Sequence, residues 1–145
     1  MSPDSNLRDL LAAMLQGGHA HATFDQVTDG FPLSRIGERP AGMPHSGWEL
    51  LEHLRISQED ILLFSQSAGH VSPKWPDEYG PAAPAPAAES QWHECVLAFR
   101  AGAAALERLI RDPAQDLHRP FAWGDGQTLI RETLLVIDHN SYHLG

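Results

Sequence analysis

A four-helix bundle, all-α, is the fold class the sequence predicts, on three observations. Apolar residues recur at three- and four-residue steps in four separate stretches. Connections rich in proline or glycine divide them, and no run alternates persuasively as a strand would. The second connection is long, which favours a crossover topology over simple up-down-up-down order. No segment repeats another.

Leu7, Leu10, Leu11, Met14, Gly18, His21 and Phe24 follow helical spacing, so a first amphipathic helix is expected over residues 4–28. His21 lies on its inward stripe and His19 does not. Glycine and proline mark residues 30–44 as a connection. Ser46-Gly47-Trp48-Glu49 then has the form of a capping box, in which Ser46 accepts from the amide three residues on and Glu49 reaches back to the cap amide. Leu50, Leu51, Leu54, Ile61, Leu62 and Phe64 carry the second helix to about residue 66.

Residues 67–87 hold five prolines, each removing an amide donor and disfavouring helix just before it. A connection of that length often has a task, either as a crossover between parallel helices or as a lid over a site. A disordered linker is the weaker reading, because Trp75 and Tyr79 give the segment something to bury. Trp92, Val96, Phe99, Ala103, Leu106 and Ile110 form the stripe of a third helix, which Asp112-Pro113 ends. Gly124-Asp125-Gly126 suggests a small hairpin between short apolar runs. Thr128 caps the fourth helix. Ile130, Leu134, Ile137, Ser141 and Leu144 form one stripe of it; Leu129, Glu132, Val136, His139 and His143 form another. A helix apolar on two faces belongs in a bundle interior.

The totals narrow the function. A chain of 145 residues is long enough to bury a core as one domain, residues 1–145, without disulfides. Net charge is −9 and the ten Lys and Arg are scattered, which argues against nucleic acid or an anionic membrane surface as partner. A single cysteine, Cys95, makes no internal disulfide and fits a reducing cytoplasm. The first ten residues lack the charge and apolar run of a signal peptide, and no stretch has the roughly 18 apolar residues of a membrane span. A cytoplasmic protein is expected.

His139 and His143 stand four apart, so their imidazoles share a helix face and suit one divalent ion. Nine histidines in 145 positions give roughly 0.5 such spacings by chance, so spacing alone does not decide. Both lie on a stripe with Leu129 and Val136, which turns them inward. A third ligand has to come from another helix, and His53, among Leu50, Leu54 and Ile56, is the best placed. A core histidine satisfied by a hydrogen bond is the competing reading, and periodicity leaves the two about even. Glu49 and Asp60 share the face of His53, and Glu132 lies seven before His139. Each could orient a ligand imidazole, although carboxylates are more often solvated. Trp75, Tyr79 and Tyr142 are candidate walls of a cavity. Cys95 has no ligand spacing and no identifiable activating partner.

Taken together, GGHAHATFDQ, PHSGWELLEHLRISQEDIL, SPKWPDEY, GDGQTLIRE and DHNSYHLG resemble the DinB-like family of metalloenzymes over nearly the full length. That resemblance implies an up-down-down-up four-helix bundle and a metal bound by His53, His139 and His143. Relatives extend the last helix beyond His-Leu-Gly, whereas this sequence ends at Gly145, which puts His143 where helix ends fray. Family members include S-transferases and isomerases using bacillithiol, mycothiol or glutathione. The resemblance therefore implies a divalent metal, zinc or nickel, and a low-molecular-weight thiol attacking a small electrophile, in a protein that pairs as a homodimer. Metal-dependent hydrolysis, and a non-catalytic stress-linked dimeric metal-binding protein, are the alternatives.

Overall fold

The structure is a computed structural model describing residues 3–145; the first two residues of the domain expected over 1–145 lie outside it. The described residues are all-α: α1 (Pro3–Gln16), α2 (Phe24–Asp29), α3 (Gly47–Gln66), α4 (Glu89–Arg111) and α5 (Leu129–Leu144), with one 3-10 turn at Leu33–Arg35 and no strand. The first expected helix is two. Gly17 and Gly18 both adopt positive φ (76° and 81°), a conformation that glycine tolerates and a continuing helix does not, so α1 stops at Gln16. The chain restarts at Thr23, whose hydroxyl accepts from the Gln26 amide while the Gln26 side chain accepts from the Thr23 amide. The hairpin expected near Gly124 contracts to a single bridge between Pro120 and Thr128. Proline has no amide to extend such a ladder.

The other elements fall where the sequence places them. Ser46 and Glu49 close the expected capping box of α3, and Thr128 caps α5 by accepting from the Arg131 amide. Ser46 is fully buried and its hydroxyl also donates to the Pro84 carbonyl, which ties the far end of the 67–88 connection to the start of α3.

α3 packs on α4 and α5, and α1 packs on the same two helices. One apolar cluster joins Trp48, Leu51 and Leu54 of α3 to Trp92, Val96 and Phe99 of α4, with Phe24 of α2 stacked on Phe99 at 4.0 Å. Leu144 at the end of α5 packs against it. A second cluster gathers the later halves of α3 and α4 (Leu62, Leu106, Ile110) with Leu11 of α1 and the beginning of α5 (Leu129, Val136). In α5 Leu129 and Val136 are enclosed, Ile130, Ile137 and Leu144 of the other stripe are half-buried against the two clusters, and Leu134 is 52% exposed. Both stripes thus contribute to the packing of α5, and the second is open only at Leu134.

Arg8 was not anticipated as a structural residue. It is buried, and its guanidinium donates to the carbonyls of Ile110, Asp112 and Gln115 while pairing with Asp4. It thereby satisfies carbonyls that α4 leaves open at its end. Arg8→Met keeps most of the volume but strands these acceptors, and should cost about 2 kcal/mol or more. Thermal denaturation should show a Tm several degrees lower; an unchanged Tm would contradict the role.

Candidate metal centre

His53 sits in the second turn of α3, and His139 and His143 occupy successive turns of α5, the helix that packs beside it. Their candidate ligand atoms all lie within 4.8 Å of one another. His53 Nε2 and His139 Nε2 are 2.9 Å apart. Ring centroids are separated by 4.8 Å for His53–His139, 4.8 Å for His53–His143 and 4.6 Å for His139–His143. Two imidazole nitrogens each about 2.05 Å from one zinc ion stand roughly 2.9–3.4 Å apart at angles of 90–109°. The first pair is thus at ligand spacing already, and a small side-chain adjustment closes the set.

Hydrogen bonding fixes the state of His53. Its Nδ1 lies 2.7 Å from the Tyr79 carbonyl oxygen, which can only accept. Nδ1 therefore carries a hydrogen, which in the neutral ring leaves Nε2 its lone pair, the arrangement common for metal-ligating histidine. Facing that lone pair, His139 Nε2 either donates its own hydrogen or shares a cation. The charged forms of the two α5 imidazoles are disfavoured. Burial, then the charges of His143 and His53, press His139 down to about 4 against the opposing pull of Asp138. His143 is lowered by burial first, then by His53 and His45. Neutral imidazole is the metal-binding form, so the donor set fits a divalent transition metal.

A cleft of about 490 Å³ opens beside His53 and His143, between α3 and the 67–88 connection. Leu50, Trp75, Pro76, Tyr79 and Pro81 line it with His45, Glu49 and Asp77, and no Lys or Arg takes part. Trp75 is 74% exposed, so the residue expected to be buried by its loop instead stands at the cleft, and Tyr79 is the inward-facing anchor. A smaller apolar cavity of about 110 Å³ adjoins His143 on the side of Phe24, Phe31, Leu54 and Trp92. Tyr142 is exposed, its ring edge-on to His143 at 4.9 Å.

The carboxylates singled out in the sequence, and His21, make their hydrogen bonds away from the trio. Glu49 binds Arg39 at 2.6 Å besides capping α3, and Arg39 above all holds its carboxyl down to about 2. Glu132 is buried and pairs with Arg131. Asp60 accepts from the Tyr79 hydroxyl at 2.6 Å and contacts His70 Nε2 at 2.7 Å. His21 bridges to Ser141 of α5 at 3.0 Å and stays apart from the trio. The group that does orient His53, the Tyr79 carbonyl, is a backbone atom in a proline-rich loop. No side-chain pattern announces such a partner.

The sequence profile of the DinB superfamily matches residues 17–145. The chain belongs to the DinB superfamily. The match begins just after α1 and contains all three histidines of the site. Neither the curated proteins nor the solved structures give a match to this DinB-superfamily chain. Among its described residues, no helix is long and apolar enough to cross a membrane.

Cys95 is buried, and its thiol donates to Glu52 at 2.8 Å. Burial first, and then the Glu52 carboxylate, push the thiol far above its usual range. Burial works against the charge of Glu52, but the bonds from Arg55, paired with it at 2.8 Å, and from the Cys95 thiol hold its carboxyl below the usual range. Since the thiolate is the nucleophile, Cys95 should react with an alkylating reagent at pH 8 at least about 100-fold more slowly in the native protein than in urea. Equal rates would show that the thiol is open to solvent.

Proposed function

We propose that His53, His139 and His143 hold one divalent transition-metal ion, zinc or nickel, and that the protein is a metal-dependent enzyme acting on a small molecule. The observation that carries this reading is the convergence of three imidazoles beside an open cleft. Three protein ligands leave coordination free for a reactant, as catalytic sites do and closed structural sites do not. A divalent ion bound there supplies a Lewis acid that favours the deprotonated form of a thiol or a water.

Within this reading the chain is a thiol-dependent S-transferase with a low-molecular-weight thiol as co-substrate. Tyr79 holds His53 through its carbonyl, and α5 presents His139 and His143 one turn apart. Leu50, Trp75 and Pro76 offer an apolar wall for the electrophile. Hydrolysis is the weaker reading because it needs a free general base. Glu49 is committed to Arg39 and the helix cap, and Asp60 to His70 and Tyr79, so the base would have to be His45 or Asp77 of the cleft lining.

The bundle order proposed with it is up-down-down-up. It is supported by the early halves of α3 and α4 sharing one cluster with the end of α5, and by their later halves sharing the other with its beginning. A single domain over residues 1–145, a cytoplasmic location and a homodimer with no nucleic-acid or membrane partner belong to the same proposal.

Protein expressed without a histidine tag should carry about one equivalent of a transition metal by mass spectrometry, lost in His53→Ala. A wild-type protein that binds none after zinc or nickel is added overturns the metal site. Metal-loaded protein should consume thiol in the presence of a generic electrophile with bacillithiol, mycothiol or glutathione. Turnover that needs no thiol would support hydrolysis in its place.

A further inference from the structure

Asp60 and Tyr79 form a clasp that ends on a candidate metal ligand. Asp60 lies seven residues after His53 in α3, two turns further along the same face. Both of its oxygens are engaged by the 67–88 connection: Oδ1 by His70 Nε2 at 2.7 Å and Oδ2 by the Tyr79 hydroxyl at 2.6 Å. The segment between these two points folds on itself. The Glu78 amide donates to the Lys74 carbonyl, the Tyr79 amide donates to the Pro76 carbonyl, and the Glu78 carboxylate accepts from the Lys74 amide. It carries Trp75, Pro76 and Asp77, one wall of the cleft. Tyr79 closes the circuit, because its carbonyl accepts from His53 Nδ1.

We propose that Asp60 is a positioning residue for His53, acting through Tyr79. This rests on the reading of His53 as a ligand. The Tyr79 carbonyl can hold the His53 ring in one tautomer only if the residue itself is held, and the bond from its hydroxyl to Asp60 is what anchors it to the rigid helix that also carries His53. Orientation of a ligand imidazole and placement of the cleft wall are thereby one event. A ligand that presses Trp75 or Pro76 aside strains the bond to His53, and an ion on His53 favours the ordered wall.

Tyr79→Phe removes the anchoring hydroxyl and keeps the ring and the carbonyl. Asp60→Ala removes both clasp contacts, and Asp60→Asn keeps an oxygen that can accept from Tyr79. Zinc affinity, read by competition with a chromophoric chelator, should fall about tenfold or more in Tyr79→Phe and Asp60→Ala. Asp60→Asn should stay within about threefold of wild type. Nitrogen-15 correlation spectra of the metal-free protein should show His53 hydrogenated at Nδ1 in the wild type and in Asp60→Asn, and averaged between tautomers in Tyr79→Phe. The role is overturned if Tyr79→Phe keeps both the wild-type affinity and the single tautomer, or if wild-type His53 is hydrogenated at Nε2. The spectra need no bound metal, so a wild-type protein that failed to bind zinc would sink the metal reading and leave this test intact. Should Asp60→Ala not fold, Tyr79→Phe decides alone.

Discussion

The 2.9 Å approach of His53 Nε2 to His139 Nε2 is possible only if α3 and α5 are fixed in both rotation and register. A slip of one residue turns an α-helical side chain by about 100° and moves it about 1.5 Å along the axis, which would scatter the three imidazoles. Much of the remaining structure acts to forbid that slip. Gln58, one turn beyond Leu54 on α3, is buried and donates to the Phe99 carbonyl of α4, while its oxygen faces the Asn140 amide of α5 at 3.4 Å. A buried polar side chain bound to two neighbours has few alternative positions, since each misplacement leaves a group unpaired. Gly102 of α4 makes room for it: a Cβ there would lie 2.9 Å from Gln58 Nε2. The apolar clusters supply cohesion on either side of this contact, and the polar pair supplies direction.

The site is consequently built from two kinds of restraint. Helix packing delivers His139 and His143, one turn apart and pressed into a half-buried seam that disfavours their charged forms. A loop delivers the orientation of His53. Loops commonly carry functional groups on rigid scaffolds, and this one is bound back to its scaffold at several points. Asp60 holds its first part, Ser46 receives the Pro84 carbonyl near its end, and Gly37 lets Ala85 approach so closely that a Cβ would sit 2.3 Å away. The cleft left between these attachments is lined by aromatic, proline and acidic side chains without Lys or Arg, which suits an uncharged molecule better than a polyanion.

Much of this was legible in the sequence, and for identifiable reasons. Capping signals are local chemistry, so Ser46-Glu49 and Thr128 marked their helix starts correctly. The buried stripe of α4 was readable because Trp92, Val96, Phe99, Leu106 and Ile110 keep one period over five turns. The histidine trio was suggested by spacing for His139 and His143 and by the place of His53 among Leu50, Leu54 and Ile56, the family resemblance pointed to all three, and the structure brings their side chains together. What failed was also local. A run of helical spacing across Gly17-Gly18 hid a break, because periodicity counts positions and ignores φ. Both stripes of α5 are apolar, yet only packing decides that Leu134 is left exposed. Arg8, Gln58 and the Tyr79 carbonyl were out of reach, since each works through a backbone atom far away in sequence.

The account stands or falls on whether these three histidines share one ion. Zinc-soaked crystals, measured at wavelengths on either side of the zinc absorption edge, test that most directly. A single anomalous peak about 2.0–2.1 Å from nitrogens of His53, His139 and His143, with His53 Nδ1 still bonded to the Tyr79 carbonyl, is the predicted result. A peak elsewhere on the protein, or none at the trio with saturating zinc, would contradict it.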